Sequence, residues 1–286
     1  MPNIISQKHL NAYRKYLISE EKSPATVEKY LRDAGAFAVY AEGKPVTKEL
    51  TIAYKQRLVE QNYAIRSINS MLAGVNSLLA FLGWQNCRVR TLRCQRQTYC
   101  SEEQQLTKVE YLRLLKAAGK KPKLQLILQT LCATGIRVSE LRYFTVESVT
   151  AGEISVRCKS KTRRILIPGN LRKQLLRYAA HQGIATGALF RNRCGEILDR
   201  STIWRQMKGL CFAAGVHPGK VFPHNLRKLF ARTFYQLDKD IAKLADLLGH
   251  SSINTTRIYL VSTGTEHRRQ LNRMGLVLNL GNKKVT

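Results

Sequence analysis

Apolar residues in this chain recur with a helical period almost throughout, and that period breaks once. Val27, Tyr30, Leu31, Ala34, Phe37 and Ala38 share one helix face behind Ser23-Pro24, a cap followed by proline at the first helical position. Ile65, Ile68, Met71, Leu72, Val75, Leu78, Leu79 and Leu82 form a second stripe that stops at Gly83. Shorter helices are predicted around residues 6–18 and 47–60. Thr107-Lys108-Val109-Glu110 is a capping-box pattern and opens a helix through Leu112 and Leu115. Another apolar helix follows at 122–134. Then Ile154, Val156 and Cys158 alternate with polar residues, as do Ile165 and Ile167 after a polar turn. This spacing predicts a small hairpin, with a third strand near 143–149. Helices are predicted again at 170–182, 199–213, 224–237, 240–248 and 252–259. The fold class expected is mainly α with a small antiparallel sheet.

A chain of 286 residues can bury two separate cores. A helical domain is expected over residues 1–84, a basic linker over 85–105, an α+β domain over 106–275 and a tail over 276–286. The linker carries Arg88, Arg90, Arg93 and Arg96, with no acid before residue 101 and little periodicity. It reads either as a solvated loop or as a strap across a phosphate backbone. Arginines without balancing acids favour the strap.

Charge narrows the partners. The formal net charge is +29, and such an excess self-repels unless a polyanion offsets it. Residues 1–100 hold 15 basic and 7 acidic side chains, and the remainder hold 33 and 12. No acid occurs between Glu153 and Glu196, or between Asp199 and Asp238. Both halves are basic, which favours double-stranded nucleic acid over an anionic membrane surface. No apolar run reaches the length of a membrane span, and Met1 to Leu10 lacks the apolar stretch of a signal peptide. The seven cysteines include no CxxC pair, so neither a disulfide framework nor a zinc site is expected. A cytoplasmic protein is the expectation.

Four short motifs in the second half bring together an unusual set of side chains. They are Ala133-Thr134-Gly135-Ile136-Arg137-Val138-Ser139-Glu140-Leu141, the turn Cys158-Lys159-Ser160-Lys161-Thr162-Arg163-Arg164, Pro223-His224-Asn225-Leu226-Arg227-Lys228, and Leu247-Leu248-Gly249-His250 with Tyr259 nine residues beyond His250. Arginines present planar forks to phosphate oxygens and neutralise charge as it develops. Histidines move protons near neutral pH. A tyrosine can attack phosphorus and hold a covalent intermediate. A lysine can protonate a departing alkoxide. No carboxylate cluster suited to Mg²⁺ accompanies them, so the arginines would carry the charge and no cofactor is expected. Each residue has a bland reading: Arg137 as a surface arginine, His224 and His250 as helix-end residues, Lys159 and Lys161 as solvated turn lysines, Tyr259 as a core aromatic. It is their joint occurrence in this order that argues for a site.

That order and spacing resemble the tyrosine recombinase (phage integrase) family over roughly residues 107–275. Residues 1–84 resemble that family's helical core-binding, SAM-like domain less distinctively. The resemblance implies that Arg137 and Arg227 grip the scissile phosphate, His250 bonds a phosphate oxygen, His224 acts as acid or base, and Lys159 protonates the leaving 5′-hydroxyl. Glu140, three residues after Arg137 on the same helical face, would orient the site. Lys161 stays a rival for the lysine role and otherwise contacts DNA. Cleavage to a 3′-phosphotyrosine, strand exchange through a Holliday junction and rejoining are implied. The domains would clamp DNA carrying inverted-repeat core sites. Four protomers would assemble there through exchange of the C-terminal segment, which includes Arg268, Leu271 and Leu276. Integration or excision of a mobile element is the role expected, with dimer resolution or inversion as alternatives. A type IB topoisomerase and a catalytically dead DNA-binding protein are the rival readings.

Overall fold

A computed structural model describes residues 3–94, 101–158, 161–274 and 276. The chain divides into two compact units, residues 1–96 and 97–286. The first holds four helices: α1 (Gln7–Ser19), α2 (Pro24–Ala41), α3 (Lys48–Glu60) and α4 (Ile65–Phe81). Ser6, Ser23 and Thr47 cap the first three through their hydroxyls, as short β-region side chains do for orphan helix N–H groups. The apolar faces meet in a core that includes Phe37, Ile68, Leu72, Val75 and Leu79. The carboxylate of Asp33 is buried with them and is held by Lys29 at 2.5 Å.

Residues 85–92 pack on this unit rather than leaving it. Cys87 and Val89 are buried in its core. Asn76 of α4 pairs with both main-chain groups of Val89, at 2.8 and 3.0 Å. Asn69 does the same for Leu92, at 2.9 and 2.8 Å. Each of the two side chains satisfies both main-chain groups of one residue, as a neighbouring strand would. Val89 points in, while Arg88, Arg90 and Arg93 are exposed. Arg96 lies outside the described residues.

The second unit opens with α5 (Lys108–Ala117), whose Thr107/Glu110 capping box is formed, and α6 (Pro122–Thr134). A 3-10 helix (Val138–Tyr143) and α7 (Val146–Ala151) lead into β1 (Glu153–Cys158) and β2 (Lys161–Leu166). The strands pair antiparallel from Glu153↔Leu166 to Cys158↔Lys161. The third strand expected near 143–149 does not form. Thr145 and Ser148 make a reciprocal capping box instead, which starts α7.

Helices then follow: α8 (Gly169–His181), α9 (Arg200–Lys208), α10 (Cys211–Ala214), α11 (Pro223–Asp238), α12 (Ile241–Leu248), α13 (Ile253–Tyr259) and α14 (Gly264–Arg273). The single helix expected at 199–213 is broken at Gly209-Leu210 into α9 and α10. The main core of this unit centres on Leu114, Ile127, Leu131, Phe144, Leu175 and Leu226. A smaller cluster of Ala231, Leu244, Leu248 and Tyr259 joins α11, α12 and α13. Among the described residues, no helix is long and apolar enough to cross a membrane.

Candidate active site

Three helix ends supply the site. α6 ends at Gly135, whose φ of +62° suits a left-handed cap and whose missing Cβ leaves room for the Phe230 ring of α11. The chain then turns into the 3-10 helix with Arg137 at its N-cap. α11 begins at Pro223, so His224 and Arg227, three residues apart, share a face of its first turns. α12 ends at Gly249, with φ of +62°; a Cβ there would sit 2.8 Å from Arg163 Cδ.

The end of α12 anchors three arginines through its backbone. Arg163 Nη1 donates to Leu247 O at 3.0 Å, Arg227 Nη2 to Leu248 O at 2.5 Å, and Arg137 Nη2 to Gly249 O at 3.2 Å. Cations suit the last carbonyls of a helix, which lack intrahelical donors. Arg227 is 1% exposed, and its Nη1 donates to Gly135 O. Its Nε is buried without a hydrogen-bond partner among the described residues. Burial first, and the Arg137 charge second, push its pKa down to about 10, so it stays cationic at neutral pH.

Among the described residues, Glu140 is the buried carboxylate that pairs with Arg137 and Arg163. Glu140, 5% exposed, takes Arg137 Nη1 at 3.1 Å on one oxygen. Its other oxygen takes Arg163 Nη2 at 2.6 Å and the Arg137 amide at 2.8 Å. The histidines register the guanidinium groups around them. Burial, then Lys228, Arg227, Arg137 and Arg200, lowers the pKa of His224. Burial, then Arg227, Arg137, Arg163 and His224, lowers that of His250 to about 4. Both imidazoles are therefore disposed to be neutral in the free protein.

Tyr259 lies edge-on to both. Its ring centroid is 4.9 Å from that of His224 and 4.9 Å from that of His250, at 85° and 89°. The ring is 8% exposed and anchored in the small α11–α13 cluster. His250 Nε2 is 3.1 Å from Arg227 Nη2, and its Nδ1 is 2.9 Å from the Thr256 hydroxyl. A cleft of about 380 Å³ opens beside these groups and is lined by Arg137, Arg200, Trp204, His224 and Arg227.

Arg137, His224, Arg227, His250 and Tyr259 thus come together, with Glu140 beneath the arginines. Lys159 lies outside the described residues, and of Lys161 only the main chain, at the start of β2, is described. Arg163, Thr256, Arg200 and Trp204 were not singled out from the sequence. Arg163 carried a signal: β alternation puts it on the inward face with Ile165, an odd place for a cation. Thr256 sits three residues before Tyr259 on α13, one turn away on the same face. Among the described residues no group of His, Cys, Asp and Glu side chains is arranged to hold a metal ion.

The phage integrase family model matches residues 104–266, more than half of the chain. The chain belongs to the phage integrase family. It is a tyrosine recombinase, a member of an enzyme class that cleaves and rejoins DNA site-specifically. The phage integrase N-terminal SAM-like domain matches residues 10–86. This recombinase is 31% identical over 279 residues to tyrosine recombinase XerA of Pyrococcus furiosus, covering 95% of each chain. The crystal structure of XerA recombinase aligns with 95% of this chain and 99% of that one, at TM-score 0.54 and 25% identity. A lambda integrase tetramer bound to a Holliday junction aligns with 90% of this chain and 78% of that one, at TM-score 0.73 and 20% identity; this likeness concerns the fold.

Proposed function

We propose that Tyr259 attacks the scissile phosphate and forms the 3′-phosphotyrosine. The observation that carries this reading is the placement of its ring against two imidazoles beside the buried Arg227, whose Nε has no partner among the described residues. A donor buried without an acceptor is costly, and a phosphate oxygen would supply one. Arg137 and Arg227 would neutralise the developing charge. His224 would take the phenolic proton and return it on rejoining. His250 would bond a phosphate oxygen, and Glu140 would keep both Arg137 and Arg163 in place. Lys159, or Lys161 in its stead, would protonate the leaving 5′-oxygen. The phosphodiester energy is conserved in the tyrosyl linkage, so the cycle needs no cofactor.

The substrate we infer is duplex DNA with inverted-repeat core sites. Arg88, Arg90, Arg93 and Arg96 would contact its backbone, and both units would engage it. A homotetramer would form on DNA, with the C-terminal segment of each protomer on its neighbour. The exposed Leu271, Met274 and Leu276 suit such a contact. The protein would act in the cytoplasm and integrate or excise a mobile element. Similarity to XerA along nearly the whole chain supports a simple two-domain recombinase, for which dimer resolution is the second reading.

The decisive experiment uses a nicked suicide duplex built on a site that the protein itself selects from random DNA. Wild type should give a covalent adduct on the 3′ side of the break, and Tyr259→Phe should give none while binding normally. An adduct of normal yield from the variant would place the nucleophile elsewhere.

A further inference from the structure

His250 is bracketed by two groups of different hydrogen-bonding character. On one side is Arg227 Nη2, 3.1 Å from Nε2. A guanidinium only donates, so Nε2 must offer its lone pair, and in a neutral ring the proton then sits on Nδ1. On the other side is the Thr256 hydroxyl, 2.9 Å from Nδ1, which can accept that proton. Thr256 is fully buried, so no solvent stands in for it. The His250 main chain is fixed separately, its N–H donating to Ala245 O at 2.9 Å.

This arrangement suits the free protein but not one holding phosphate. A phosphate oxygen has no proton to give, so a neutral His250 can bond it only with the proton on Nε2. Nδ1 must then accept. A hydroxyl can turn from acceptor to donor without moving its oxygen; a methyl, amide or carboxylate cannot serve both states from one atom in this way.

We propose that Thr256 is a positioning residue that serves both tautomers of His250 in turn. In the free protein its oxygen accepts from Nδ1–H while Nε2 accepts from Arg227. When phosphate enters, Nε2 takes up a proton from the cleft, and the Nδ1 proton leaves to the same cleft as the ring turns briefly out of the Thr256 contact, so the ring's net charge is unchanged. The Thr256 hydroxyl turns to donate to Nδ1, Nε2–H donates to the phosphate, and Arg227 Nη2 is released toward the same phosphate. Thr256 lies one turn from Tyr259 on α13, so docking of the tyrosine helix and setting of the histidine tautomer are one event. The inference rests on the reading of this pocket as the phosphate site, and its first measurement needs no chemistry.

The test uses the full chain with ¹⁵N-labelled histidine, of which there are six. Long-range ¹H–¹⁵N spectra of the free protein should show His250 with a protonated Nδ1 and a bare Nε2. In Tyr259→Phe bound to the selected duplex the pattern should invert. Thr256→Val, which keeps the shape and removes the hydroxyl, should keep Nδ1 protonated in the free protein, where Arg227 still donates to Nε2, but should fail to invert the pattern in the Tyr259→Phe complex. It should also cleave the suicide duplex about 10–100-fold more slowly with unchanged DNA affinity, the usual scale for an outer partner of an active-site group. Thr256→Ser should restore both. A protonated Nε2 in the free protein would overturn the proposal, as would a Thr256→Val enzyme with wild-type rate and normal inversion. Failure of Tyr259 as nucleophile would leave the free-state spectrum untouched, so the two readings fail separately.

Discussion

Glu140 holds two guanidinium groups at once, Arg137 at 3.1 Å and Arg163 at 2.6 Å. The first is partly open to the cleft, and the second is 9% exposed at its side chain. The carboxylate therefore links an arginine available to substrate with one locked in the protein. Breaking a buried ion pair on one side leaves the other charge uncompensated.

Arg163→Gln should therefore impair Arg137 without touching substrate. We expect cleavage slower by about 10–100-fold, with DNA affinity little changed. Replacing the scissile phosphate by a neutral methylphosphonate should shrink the deficit, because an arginine that neutralises charge is less needed there. Single-turnover rates on the two duplexes make the comparison. An equal deficit on both would mean that Arg163 matters only to the fold.

Acid should destabilise the protein partly through His250. Its folded-state pKa is lowered from 6.5 to about 4. The unfolded chain thus takes up this proton at higher pH than the folded one, and the accumulated loss of stability grows as pH falls from 6.5 toward 4. Stability carried by the neutral ring is present above 6.5 and lost through that window. Thermal melts of His250→Gln should fall less steeply there than wild type. Parallel curves would show that burial and the surrounding arginines do not depress this group.

Leaving-group chemistry separates the two lysines. A general acid is needed only when the departing oxygen requires a proton, and a 5′-bridging phosphorothiolate leaves as a thiolate without one. Lys159→Ala should cleave ordinary DNA more slowly by about 10²–10⁴-fold and be rescued by the sulfur substrate. Lys161→Ala should lose mainly affinity. The opposite pattern would exchange their roles.

DNA binding should fall steeply with salt. Each neutralised phosphate contributes about −0.9 to the log–log slope, and engagement by both units predicts roughly −6 or steeper. Replacing Asn69 and Asn76 together by alanine should free the arginine segment from α4. The slope should then become shallower, while the cleavage rate of bound DNA stays the same. Equilibrium titrations giving a wild-type slope near −2 would rule out engagement by both units.

Local signals carried most of the architecture. Ser23-Pro24 and the Thr107/Glu110 pair announce helix starts because capping is settled within four residues. The alternation around Ile154 and Ile165 announces the hairpin for the same reason. The stretch 143–149 misleads because its apolar residues suit a strand, while Thr145 and Ser148 satisfy each other's main-chain groups as a cap. The break at Gly209 was hidden by continuous apolar spacing on either side. In the site, motif spacing pointed to the residues, but their relations are tertiary. Nothing local says that Tyr259 meets both His224 and His250. Arg163 is the clearer case, since its partner Leu247 is reached through a carbonyl that any residue would provide.

The end of α12 has a consequence for how this sequence can drift. Leu247, Leu248 and Gly249 present consecutive oxygens to Arg163, Arg227 and Arg137. What each arginine reads is a position along the chain. Point replacements at 247 that preserve packing should leave the guanidinium array intact. Insertion or deletion of one residue between Leu244 and His250 would shift every oxygen to the wrong arginine. The spacing of this stretch should therefore tolerate less change than its letters.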